Sequence, residues 1–299
     1  WTMYDWANSA YSTIYISVLV FYLQGAVLPG DAGLTAWGWG IGVTTLCSAF
    51  LSPILGAIAD AQANKRMWLA ITTFLGAGAS CLMFFGTPER PWFFVAMFLI
   101  ANLNYELVQC FYNAFLPEVA DDQKMSEVSG WGYGTGYVGG GLMLVVALVL
   151  IKFGEAMGLP SDNYFLPRLS LLIMGLWWAL FSLPILLLVK DKSSPRVERT
   201  SLFATAMGGL RDVKRTLGEI SHYKMLAIFL VGFLIFNDGV MTVISQASVY
   251  AKHKFGLEAE DMIPILLMIQ FVALPGAVFL GWLATKIGQK NALPMAEHL

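Results

Sequence analysis

Charge is scarce in this chain. Only 13% of its 299 residues are charged against 57% hydrophobic, a balance that excludes an ordinary soluble domain. The formal net charge is −2, and no basic helix has the character of a DNA reader, so nucleic acid is excluded as a partner. The three cysteines, Cys47, Cys81 and Cys110, stand singly inside apolar segments and have neither disulfide-framework nor metal-ligand spacing. The three histidines, His222, His253 and His298, fall in loops without a partner acid or nucleophile, so a membrane-embedded enzyme ranks last among the readings. No metal or cofactor is expected. Chain position 1 is Trp1, with no charged n-region or cleavage site ahead of the first apolar segment. That reads as a missing short N-terminus and not as a signal peptide.

What the chain has instead is long apolar runs. A bilayer span needs about 20 mainly apolar residues, and eight segments meet that rule: 6–28, 36–59, 67–86, 91–115, 129–151, 165–189, 225–250 and 262–285. The fold class is therefore all-α integral membrane. A charged, partly amphipathic stretch at 190–223, with Leu202, Phe203, Met207 and Leu210 at helical spacing, separates the first six spans from the last two. The expected organisation is a six-helix half at 1–189, a cytoplasmic loop at 190–223 and two further helices at 224–299. With the N-terminus inside, 13 of the 18 Lys and Arg face the cytoplasm, which fits the positive-inside rule.

One loop signature occurs twice. Gly56-Ala-Ile-Ala-Asp60 leads into Lys65-Arg66. Gly281-Trp-Leu-Ala-Thr285-Lys286-Ile-Gly288 leads into Lys290. Glycine allows close backbone approach, a polar residue can cap the next helix, and the cations hold the turn in the cytoplasm. Two copies so far apart imply two related halves, the organisation of a transporter. The first and seventh spans also correspond, since Asn8 with Thr13 and Asn237 with Thr242 share one spacing.

Polar residues inside spans are costly, about 3 kcal/mol for a central carboxylate on insertion scales, and need a reason. Asn102, Glu106, Gln109 and Asn113 follow at intervals that stack them on one face of the fourth span, flanked by Tyr105 and Tyr112. An interhelical hydrogen-bond seam is the plain reading; four such groups in three turns favour the lining of a pathway. The first span carries Asn8, Tyr11 and Tyr15 on one face, with Asp5 at its cytoplasmic mouth. Tyr4 and Tyr22, near its ends, read as interfacial belt residues. The seventh span carries Asn237, Asp238, Thr242, Ser245 and Gln246. In the fifth, seven glycines fall within a dozen residues; Gly132, Gly136 and Gly140 at four-residue intervals suit close helix packing. No strand precedes this run, which argues against a phosphate-binding loop. Trp177 and Trp178 read as packing or lipid-facing bulk.

These residues together resemble the major facilitator superfamily, and within it the branch of the autophagy-related vacuolar amino-acid effluxers and their bacterial relatives. The segments that carry the resemblance are Tyr4–Tyr11, Phe111–Pro117, Gly136–Gly141 and Asn237–Val240; the loop from Gly56 to Arg66 is a degenerate superfamily trait. The resemblance implies twelve helices in two halves around a central cavity, with the first, fourth and seventh lining it, and eight of the twelve are present here. It implies a secondary transporter for a small polar or zwitterionic solute, with amino acids as the family's precedent. In that frame Glu106 and Asp238 respond to a coupling proton or cation. Asn8, Tyr11, Tyr15, Asn102, Gln109, Asn113, Asn237 and Thr242 line the pathway. Gly56, Asp60, Lys65 and Arg66 form a cytoplasmic gate loop. The expected partners are the solute and membrane lipid, and the bacterial inner membrane is favoured over a vacuolar one. With four helices missing, the isolated chain is expected not to transport. The alternative is a membrane scaffold or sensor that keeps the fold without carrying solute.

Overall fold

The computed structural model describes residues 1–121, 123–161, 164–189, 191, 202–219 and 222–288. Lys290, His298 and the side chains of Leu202 and Phe203 lie outside that description. Among the described residues every regular element is helical. Eight helices are long and apolar enough to cross a membrane: α1 (Thr2–Val27), α2 (Asp31–Gln62), α3 (Lys65–Phe85), α4 (Pro91–Val119), α5 (Met125–Phe153), α6 (Phe165–Leu188), α8 (Lys224–Phe255) and α9 (Ala259–Ile287). Between them α7 (Leu202–Glu219) is shorter and amphipathic. The spans run several residues beyond their apolar cores because helix termini continue into the polar interface.

Local chemistry sets the breaks. Pro91 opens α4, where its missing N–H costs nothing. Asn64, and not Asp60, caps α3, accepting the Met67 N–H at 3.3 Å; Asp60 still belongs to the last turn of α2. Gly256 ends α8 in a left-handed conformation, and a capping box from Glu258 and Asp261 starts α9.

The first six spans form one bundle, with α1 at its centre. Over its most apolar window α1 is 78% buried, against none of α8 and 6% of α9. It lies against α5 and α6; α3 packs between α4 and α6, and α2 packs on α4. Two π-helical turns, Tyr15–Leu19 and Leu23–Val27, interrupt α1. Amphipathic α7 rests on the end of α2 nearest Lys65 and Arg66, termed the inner end because those basic residues are expected to face the cytoplasm, and a Cβ on Gly209 would meet Pro53 and Ala57 there.

The glycines of α5 serve both of its neighbours. Gly132, Gly136, Gly139 and Gly140 face α1, where a methyl group would meet Asp5, Ser9 or the Trp6 backbone. Gly130 faces α9: a Cβ there would lie 3.0 Å from the Gly281 Cα, and one on Gly281 would lie 2.9 Å from the Gly130 Cα. The second copy of the loop signature thus needs its glycine for a backbone contact. Gly56 in the first copy faces only the Cys110 Sγ, at an ordinary 3.7 Å.

Tyr4 and Tyr22 are not belt residues. Both are buried: the Tyr4 hydroxyl lies 2.7 Å from Thr73 Oγ1, and that of Tyr22 donates to the Gly86 carbonyl at 2.7 Å. Because α1 is central, even its end residues are covered by neighbouring helices. Trp178 is likewise fully buried, against Tyr11.

Candidate solute pathway

Three helices build the polar interior. On α4, Asn102 is 2% exposed; its Nδ2 donates to Thr44 Oγ1 of α2 at 2.7 Å, and its Oδ1 accepts from the Tyr11 hydroxyl of α1 at 3.4 Å. Thr44 is held in turn by donating to the Gly40 carbonyl at 2.8 Å. An amide thus ties α1, α2 and α4 together in the apolar core, where an unmade bond is costly. Thr44→Val is expected to leave Asn102 Nδ2 unpaired and lower stability by about 1 kcal/mol, read as a lower melting temperature in detergent. An unchanged value would make this bond incidental.

Along α4 the stripe then opens. Asn102 is buried, Glu106 and Gln109 are half-buried and Asn113 is exposed, so the polar face widens toward the inner end. A group of aromatic rings packs between α1, α2 and α4. Tyr11 stacks on Tyr105 at 4.8 Å between centroids and on Tyr15 at 5.7 Å, and Tyr15 lies against Trp37 at 4.6 Å. Glu106 lies within electrostatic reach of Tyr11, Tyr15 and Tyr105. Its carboxylate makes no hydrogen bond or ion pair among the described residues. Asn8, one turn back along α1, is 4% exposed and its Oδ1 also lacks a partner among them.

Nearer the inner end, Asp5 accepts a very short hydrogen bond from the Tyr112 hydroxyl. The Tyr112 ring is stacked between Trp1 and Tyr4, at 4.4 and 5.0 Å. Trp1 Nε1 donates to the Tyr112 carbonyl at 3.1 Å. The segments Tyr4–Tyr11 and Phe111–Pro117, which carry the family resemblance, therefore meet through this pair. Their co-occurrence was the signal available in the sequence, but helical spacing within either one does not disclose the partner.

The inner loop between α2 and α3 is organised by Lys65. Its Nζ lies 2.9 Å from Glu118 Oε1 at the end of α4 and 4.0 Å from Asp60, and its backbone N–H donates to Asp191 at 2.7 Å. Lys65 and Glu118 side chains are 16% and 12% exposed, whereas Asp60 is 63% exposed. Arg66 is exposed. Glu118 was not among the residues expected from the sequence; it lies past the end of the fourth apolar segment, where acids are ordinary.

The structure does not bring the α8 residues to this group. Asn237, Asp238 and Thr242 are exposed. The α8 helix leans on the outer half of α1, through a hydrogen bond from Ser248 to the Ile16 carbonyl and Lys252 Nζ set 5.1 Å from the centroid of the Phe21 ring. No trio of His, Cys, Asp or Glu among the described residues is arranged to hold a metal ion.

The family described as "Vacuole effluxer Atg22 like" matches residues 39–295. The chain belongs to this family. Among similar proteins is the MFS-type transporter YxiO of Bacillus subtilis, 29% identical over 98% of this chain and 68% of its own length. Autophagy-related protein 22 of Kluyveromyces lactis is 25% identical, over 85% of this chain and 53% of its own length. That of Eremothecium gossypii is 23% identical, over 79% and 48%. The chain thus spans about half the length of the yeast relatives. As a member of the Atg22-like family it is an all-α, major-facilitator-type membrane protein.

Proposed function

We propose that this Atg22-like chain belongs to a secondary active transporter. It would move a small polar or zwitterionic solute, amino acids included, across the membrane by alternating access coupled to a proton or cation. The observation that carries the reading is the stripe on α4. An amide locked into the core gives way to a half-buried carboxylate without a partner among the described residues, then to a half-buried and finally an exposed amide, so exposure rises toward one end. A seam that served only to hold helices together would be satisfied along its length. The transporter name of the Bacillus subtilis relative and the effluxer description of the family support the same class. On this reading Asn102, Gln109, Asn113, Asn8, Tyr11 and Tyr15 orient the solute, Glu106 answers the coupling ion, and Asn237, Asp238 and Thr242 act from α8. The glycine seam between α1 and α5 supplies a close, smooth contact for small relative movement.

Binding tests this without requiring the whole transport cycle. The purified chain, scanned against a panel of amino acids and small amides, is expected to gain at least one solute-dependent rise in melting temperature of about 4 °C near saturation. The rise should vanish in Asn102→Ala. A flat response across the panel would favour a scaffold that keeps the fold without a cargo.

A further inference from the structure

The amphipathic helix α7 carries a surface that the solute pathway does not use. Helical period puts Ala206, Met207, Leu210 and Val213 on one face, and Met207, Leu210 and Val213 are exposed. Arg211 and Lys214, both exposed, stand at the edge of that face with no ion pair among the described residues. Asp212 and Glu219 lie on the opposite side, where they hold Arg215 at 3.5 and 3.7 Å. What α7 rests on sets its depth. Leu46, Phe50, Pro53 and Ala57 run along one face of α2; Leu46 and Phe50 are exposed, and Gly209 of α7 covers the next two. A Cβ on Gly209 would lie 3.0 Å from the Pro53 carbonyl oxygen and 2.7 Å from the Ala57 Cβ. Both residues belong to the apolar part of the second span, ahead of Asp60, which at 63% exposed marks its polar end. Thus α7 crosses the continuation of a face of α2 that meets acyl chains, at the level where hydrocarbon gives way to headgroups.

We propose that α7 is an interfacial anchor whose partner is the anionic phospholipid of the inner leaflet. Met207, Leu210 and Val213 enter the acyl boundary, Arg211 and Lys214 reach headgroup phosphates on the side away from α2, and Asp212 and Glu219 face water. Charge complementarity selects this occupant. Positions 190–224 carry eight of the chain's 18 Lys and Arg but only four of its 20 acids, a positive stretch in a chain of net charge −2. A zwitterionic surface offers no net charge to that surplus. An anionic surface strengthens contact about fivefold for each cation held near it at low salt. Gly209 lets the helix seat itself at this depth, since any side chain there would push α7 away from α2. Lipid charge is thereby felt at the last turns of α2, which lead into the Lys65 loop. The proposal concerns the membrane and holds whatever the pathway carries.

The test follows amide hydrogen exchange of the whole chain in nanodiscs, read by mass spectrometry on peptides from α7. In phosphatidylcholine discs containing about one-third phosphatidylglycerol, α7 is expected to exchange about fivefold more slowly than in pure phosphatidylcholine, and high salt should erase the difference. Arg211→Gln combined with Lys214→Gln should erase it too, while peptides from α1 keep their rates. Arg215→Gln, at a side chain already held by Asp212 and Glu219, should retain most of it. Met207→Gln checks the depth. Glutamine and methionine have similar helix propensity, so in water the swap would change little; at the acyl boundary it should speed α7 exchange about threefold in both kinds of disc. Equal wild-type rates in the two kinds of disc overturn the proposal, as does a loss confined to Arg215→Gln. Equal protection by inorganic phosphate added to neutral discs would make this a site for a soluble anion and overturn it as well. An unchanged rate in Met207→Gln would put the helix in water, and the anchor falls.

Discussion

Lys65→Met is expected to destabilise the protein by about 2 kcal/mol, because Glu118 loses the close lysine that holds its carboxylate among packed helix ends. The pair is close, at 2.9 Å, and both side chains are nearly out of water. Breaking one side of such a pair costs far more than removing both. Lys65→Met combined with Glu118→Gln is therefore expected to recover most of the loss. Asp60→Ala, at a carboxylate 63% exposed and 4.0 Å from Lys65, should cost at most about 1 kcal/mol. Melting temperatures of the four proteins in one detergent decide the matter. If Asp60→Ala proves the most damaging, the loop is organised by its own acid and not by the end of α4. This ordering matters because Lys65 ties the α2–α3 turn to the helix that carries Asn102 and Glu106.

The second large effect is expected at Gly139. A side chain there would run into the backbone of Trp6, with its Cα only 2.8 Å from the added Cβ, and backbone cannot swing aside as a side-chain end can. Gly139→Leu should cost about 3 kcal/mol or more by forcing α5 off α1, the most buried helix of the bundle. Gly141→Ala is the control, since its Cβ would meet Gln270 at an ordinary 3.8 Å, and it should be close to neutral. Folded yield by size-exclusion profile and melting temperature separate them. Equal tolerance at both sites would mean that α1 and α5 are not held at this distance.

Much of the candidate site could be read from spacing. Asn102, Glu106, Gln109 and Asn113 share a face because a helix repeats every 3.6 residues, and one polar face on an apolar helix must be covered by protein or water. The glycines of α5 announced a close contact for the same kind of reason. Spacing did not disclose what lies opposite. Asn102 bonds Thr44, Asp5 takes the Tyr112 hydroxyl, and Lys65 prefers Glu118 to the Asp60 of its own loop. Each is a meeting of residues far apart in sequence, chosen by which helices abut and at what height. Tyr4 and Tyr22 were misread for that reason too. A tyrosine near the end of a span has the composition of a belt residue, and only the neighbours standing around α1 make it a core residue.

By itself the amino-acid sequence determined the medium, the helices and the polar face of each, because hydrophobic length and helical period are local properties that the chain carries with it. Only the tertiary structure decided that α1 is the axis of the bundle, that Glu106 has no basic partner among the described residues, and that the polar residues of α8 stand apart from it. Those outcomes depend on which surfaces pack tightly enough to exclude one another, and close packing is a property of pairs of helices that no single helix encodes.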